Sequence, residues 1–134
     1  MALKSAVLIH NPGSGQARDR YHSVTRIVEP LRQRGVTATP QIAAAPTDAV
    51  RLTAAAIQAN ADVIVVHGGD GLVNETMQGL VGTTTPLAVW PGGTSNVLAR
   101  ELALPGGIDV LAEIIAAGRT RRVSLGRAGE RYFL

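Results

Sequence analysis

Glycine is concentrated in three short segments: Asn11-Pro12-Gly13-Ser14-Gly15, Gly68-Gly69-Asp70-Gly71 and Pro91-Gly92-Gly93-Thr94-Ser95-Asn96. A residue without a Cβ admits positive φ and lets main-chain N–H groups come close to a ligand. Where such a segment opens a helix, the N–H groups of the first turn and the helix dipole favour phosphate. Each segment alone has a plainer explanation. Asn11 to Gly15 could be a tight turn, Asp70 could cap a helix, and Thr94 or Ser95 could do the same. Three of them at one edge of a sheet point instead to a phosphate pocket.

Other nucleotide signatures are absent. No G-x-x-x-x-G-K-[ST] occurs, which excludes a P-loop. Gly13 to Arg18 begins like the dinucleotide fingerprint but has Arg18 where the third glycine belongs, and no acid follows at the expected offset. His10 and His67 each end an apolar run and His22 lies in a helical stretch. Packing or a local hydrogen bond suits His67 better than ligation.

The segments between the loops alternate in period. Ala6 to Ile9, Thr37 to Ala43, Asp62 to His67, Pro86 to Trp90 and Arg121 to Leu125 read as strands. Asp62 to His67, β-branched and apolar on both faces, has the pattern of a central parallel strand. Tyr21, Val24, Val28 and Leu31 share a helical face that Pro30 kinks or restarts and Gly35 ends. Thr47 is the expected N-cap of a helix burying Val50, Ala54 and Ile57, with Asp48 in its first turn. Val73, Met77, Leu80 and Val81 mark another helix, Val97, Leu98 and Leu102 a helical turn, and Ile108 to Ala117 a helix closed by Gly118. Strands alternating with helices across short loops predict an α/β fold: a three-layer parallel sheet with helices on both faces. In such a sheet ligands bind beyond the carboxyl ends of the strands, where the three glycine segments fall. Arg131 to Leu134 starts another strand pattern at the last residues, as expected of a fragment.

Composition bounds the rest. With 134 residues there is room for one core. Aromatics are 3%, so aliphatic residues must fill it, and cysteine is absent, which excludes disulfides and cysteine-bound zinc and fits a cytoplasmic protein. The net charge of +3 is concentrated near the C-terminus: five arginines and one glutamate lie between Arg119 and Leu134, and the residues before Arg119 are close to neutral. That distribution does not fit a nucleic-acid-binding surface. No apolar run approaches the ~18 residues needed to span a bilayer.

Taken together, the segments resemble the diacylglycerol-kinase catalytic family, which includes sphingosine and ceramide kinases and bacterial lipid kinases. The resemblance rests on Asn11-Pro12 with Ser14-Gly15, on Gly68-Gly69-Asp70-Gly71 with Asn74-Glu75, and on Pro91-x-Gly93-Thr94-x-Asn96 followed by Ala99-Arg100. Gly-Gly-Asp-Gly is shared with NAD kinases and phosphofructokinases, and the third block favours the lipid kinases. Two positions depart from the pattern. Leu72 stands where the family usually has Thr, and Ala43 falls where a second Thr is usual.

The resemblance implies an NAD-kinase/diacylglycerol-kinase-like N-terminal domain over residues 1–134. It also implies a C-terminal β-rich domain beyond Leu134 that carries the lipid site and most metal ligands. It implies ATP-dependent phosphorylation of a lipid hydroxyl with Mg2+, membrane lipid as partner, peripheral contact at the inner membrane face, and a homodimer as one possible assembly. By analogy Gly68, Gly69, Asp70, Gly71, Leu72, Val73, Asn74 and Glu75, with Gly93 and Thr94, line the nucleotide phosphates. Asp70 orients the metal, its waters or the attacking hydroxyl, and Asn11 and Asn96 support the loops. Phosphoryl transfer depends on positioning and charge neutralisation, of which these residues supply a part, so the chain alone is expected to be inactive. An NAD-kinase-like small-molecule kinase and a non-catalytic nucleotide-binding module are the alternatives.

Overall fold

The computed structural model of the chain describes residues 3–11, 25–91 and 107–133. Four parallel strands form the central sheet: β1 (Ser5–His10), β2 (Thr37–Ile42), β3 (Val63–Gly68) and β4 (Leu87–Pro91), in the order β2-β1-β3-β4. Among the described residues the helices between and after them are α1 (Val28–Gln33), α2 (Pro46–Gln58), α3 (Asp70–Leu80) and α4 (Ile108–Ala117). A two-stranded antiparallel hairpin, β5 (Gly126–Ala128) and β6 (Arg131–Phe133), stands apart from the sheet.

Strand periodicity divides the core in two. Ala6 and Leu8, Val63 and Val65, and Trp90 pack with Leu31 of α1 and with Leu111, Ala112 and Ile115 of α4. On the other face Ile9 and Ile64 pack with Ala49 and Ala56 of α2 and Leu80 of α3, while Val66 and Val89 meet Val73 of α3. The sheet is therefore the middle of three layers, as the alternation of elements implies. β3, whose first four residues are all buried, pairs with β1 on one side and β4 on the other. At the amino ends of the strands, the Asp62 carboxylate accepts from the N–H groups of Lys4 (2.8 Å) and Ser5 (3.0 Å). The Asp62 N–H in turn donates to Ser5 Oγ at 3.1 Å, fixing the start of β3 to the start of β1.

Helix ends follow local chemistry. Gly118 closes α4 at φ 69 and Gly35 follows α1 at φ 84, conformations that glycine adopts without steric cost. Pro30 falls in the first turn of α1, where no intrahelical N–H is required of it. The expected N-cap at Thr47 is corrected: α2 begins at Pro46 after Ala45, because proline suits the first helical position. Asp48 acts as expected in the first turn, its carboxylate accepting from the N–H groups of Ala44 (3.0 Å) and Ala45 (2.9 Å).

The strand expected over Arg121 to Leu125 is also corrected, since that segment is not a strand. Arg121 to Val123 and Leu125 help line an apolar groove of about 600 Å³, to which Leu87 and Val89 of β4 also contribute. Strand pairing starts only at Gly126, whose partner in register is Phe133. Between β5 and β6 lie two residues, Gly129 and Glu130, with Gly129 at φ 62, a positive φ that a tight hairpin loop demands.

Candidate active site

The strand order reverses between β1 and β3. From β1 the chain moves outward to β2, and from β2 it crosses back to β3 on the far side of β1. The carboxyl ends of β1 and β3 thus frame the crevice in which parallel α/β sheets bind ligands. His10, His67 and Trp90 lie in register across this edge, with Gly68 opposite Pro91 one residue further on. Exposed Asn11 follows directly after β1. Asn11, which opens the first glycine segment, and the second segment thereby follow neighbouring strands, and Pro91, which opens the third, ends the next strand.

Gly68 is the last residue of β3, Gly69 the N-cap of α3 and Asp70 its first residue. The N-cap, being glycine, offers no side chain of its own to these N–H groups. The Val73 N–H reaches Gly69 O at 3.2 Å, so the N–H groups of Asp70, Gly71 and Leu72 belong to the turn whose donors an α-helix leaves without intrahelical partners. Those donors and the positive end of the helix dipole form an anion-binding end. Gly69 has φ −87 and ψ −176, an extended backbone that any residue adopts. Its glycine is therefore not required by backbone strain. Gly71 is exposed, and a Cβ there would meet nothing within 4 Å, leaving its main chain open to an approaching group.

The remaining expected residues divide. Val73 is 4% exposed and packs with Val66 and Val89, so it can face a ligand only through its main chain. Leu72 is half-buried and touches both apolar clusters on the α2/α3 face. Asn74 and Glu75 are half-buried one turn further along, and the Glu75 carboxylate holds Arg131 of β6 at 2.6 Å. Ala43, buried in the cluster with Ile9 and Ile64, extends β2 through its N–H to His10 O at 2.7 Å. Gly93, Thr94 and Asn96 lie outside the described residues, as do Pro12 to Gly15 and the helical turn expected at Val97 to Leu102.

Two features of the structure are not legible in the sequence. The His67 ring lies 4.0 Å from that of buried Trp90, tilted by 33°, and His67 Nδ1 is 3.0 Å from Trp90 O. Packing and a local hydrogen bond are expected of His67, but not this partner. Beside it His10 is fully buried. Burial, and then the nearby His67, hold its pKa below the ordinary histidine value. The second feature is the amide of Gln78, which binds the main chain of Tyr132 in β6.

Among the described residues no group of three or more His, Asp or Glu side chains could hold a metal ion. Asp70 is the carboxylate at the glycine turn. Next to bound phosphate it would repel the ligand unless a cation stood between them, so the residues present suit a metal carried in with the phosphates.

The chain matches the diacylglycerol kinase catalytic domain over residues 5–128. It is 40% identical over 98 residues to a diacylglycerol kinase of Mycobacterium tuberculosis, covering 72% of this chain and 32% of that one. A diacylglycerol kinase of Bacillus subtilis is 30% identical over 136 residues, covering 98% of this chain and 44% of the relative. The crystal structure of a diacylglycerol kinase from Bacillus anthracis str. Sterne superposes with a TM-score of 0.81 at 30% identity, over 100% of this chain and 47% of that one. The chain thus spans less than half the length of these relatives. With its three-layer fold and its glycine turn at the switch point, the chain belongs to the diacylglycerol kinase catalytic-domain family.

Proposed function

We propose that this chain is the nucleotide-binding part of a lipid kinase that transfers phosphate from ATP to the hydroxyl of diacylglycerol or a related membrane lipid. The observation that carries this reading is the N-terminus of α3, which opens at the glycine turn beside the β1/β3 switch point. The N–H groups of Asp70, Gly71 and Leu72 would receive the nucleotide phosphates, and open Gly71 would let them approach. Mg2+, bound with the nucleotide, supplies charge neutralisation, and Asp70 would orient it or its waters. The family membership and the names of the relatives support the lipid substrate.

The same reading gives the 134-residue chain binding without turnover. One carboxylate and a set of main-chain donors cover only part of what phosphoryl transfer requires, and the relatives are more than twice as long. Contact with the inner face of a membrane would follow from the lipid substrate.

The test is titration of the isotopically labelled chain with ATP and Mg2+. Chemical-shift changes are expected at Gly68 to Leu72 and at Asn11. Changes confined to the opposite ends of the strands, around Ser5 and Asp62, would refute the location.

A further inference from the structure

The β5–β6 hairpin has three residues in each strand, and an isolated two-stranded hairpin is at best marginally stable in water. Its Phe133 ring covers Gly126, where a Cβ would collide with it, yet Phe133 remains 49% exposed. The order of this hairpin must come from elsewhere, and the contacts lead to α3. Gln78 Oε1 accepts from the Tyr132 N–H at 3.1 Å, and Gln78 Nε2 donates to Tyr132 O at 2.7 Å. A primary amide presents the same donor and acceptor pair as a peptide group, so Gln78 stands in for a third strand beside β6. Its Nε2 also donates to Asn74 O at 3.3 Å. Glu75, on the same helix, adds the ion pair to Arg131.

We propose that Gln78 is a positioning residue that couples the β5–β6 hairpin to the glycine turn through α3. This rests on the nucleotide reading given above. The helix that supplies the phosphate-facing N–H groups at Asp70 to Leu72 is the one that carries the clamp at Gln78, about 12 Å along its axis. Ligand at the turn favours the ordered helix, the ordered helix holds the hairpin, and the coupling runs equally in the other direction. The main chain of the hairpin is thereby set relative to the nucleotide by an amide that touches neither phosphate nor metal.

The experiment compares the unaltered chain with Gln78→Met, which keeps the side-chain length and removes all three hydrogen bonds of the amide, and with Gln78→Glu, which keeps the acceptor and loses the donor. Hydrogen exchange at the Tyr132 N–H and affinity for ATP with Mg2+ are both measured. In the unaltered chain, saturating ATP should slow exchange at Tyr132. In Gln78→Met that exchange should be fast and indifferent to ATP, with affinity lowered about five-fold or more. Gln78→Glu should fall between the two. Unchanged affinity in Gln78→Met, or no response of Tyr132 to ATP in the unaltered chain, overturns the coupling. If Gln78→Met fails to fold, the response of Tyr132 in the unaltered chain decides. Failure of the unaltered chain to bind ATP overturns the nucleotide reading itself, and the coupling with it.

Discussion

Leu72 lies over Gly68, so close that a Cβ on Gly68 would come within 2.7 Å of Leu72 Cδ2. The leucine therefore occupies space at the glycine turn while its other contacts join the two apolar clusters on the α2/α3 face. Leu72→Thr should uncover Gly68 and place a hydroxyl in the first turn of α3. A hydrogen bond to a charged phosphate is worth roughly 1.5 to 3 kcal/mol, which is about a ten-fold or greater gain in nucleotide affinity. Against it stands lost apolar burial, about 1 to 2 kcal/mol of stability for a half-buried leucine. Calorimetric titration and thermal melts separate the two. Unchanged affinity with reduced stability would show that Leu72 only packs.

Gly69→Val should abolish nucleotide binding while the fold persists. The backbone at Gly69 is extended, so valine meets no strain in φ there, and its side chain instead obstructs approach to the N–H groups of the turn. Circular dichroism should be unchanged and ATP should no longer shift the resonances of Asp70 to Leu72. Full binding by the variant would remove the turn from the phosphate site.

Gly79→Ala sets two effects against each other. Alanine is favoured over glycine in a helix by about 1 kcal/mol. A Cβ at Gly79, however, would lie 2.9 Å from Thr53 Cβ and 3.3 Å from Val50 O, where α3 packs on α2. Overpacking of this kind typically costs about 1 to 3 kcal/mol, so the melting temperature should fall. A rise would mean that the two helices separate easily.

Much of this fold is legible because local pattern and tertiary context agree. β3 is β-branched and apolar on both faces and is the buried central strand, and Gly118 ends α4 where the periodicity stops. Arg121 to Leu125 has strand composition, but a strand exists only with a partner, and the pairing in this region begins at Gly126, against Phe133. Glycine spacing locates the turn at Gly68 to Gly71 and suggests positive φ. The structure shows instead that Gly68 leaves room for Leu72 and that Gly71 leaves open space. Gln78 is not legible, because a glutamine on the polar face of a helix reads as solvated. Its partner lies 54 residues away in sequence, a relationship no local pattern carries.

Stability should depend on pH in two separate windows. The His10 pKa is lowered from 6.5 in the folded chain, first by burial and then by the charge of His67. The unfolded chain therefore binds this proton more readily, and stability rises with pH wherever the unfolded state holds more protons. The contribution is complete above the unfolded value of 6.5 and is lost as pH falls through the folded value. Asp48 and Asp62 act in the same sense at lower pH. Backbone N–H donors hold both below their ordinary value of 3.8, so their contribution disappears only as pH falls from that value. Thermal melts between about pH 8 and pH 5 should show a decline in the unaltered chain and a flatter profile in His10→Phe, which keeps a ring at the site and cannot titrate. Parallel profiles for the two proteins would mean that the His10 environment is not what makes the fold sensitive to acid.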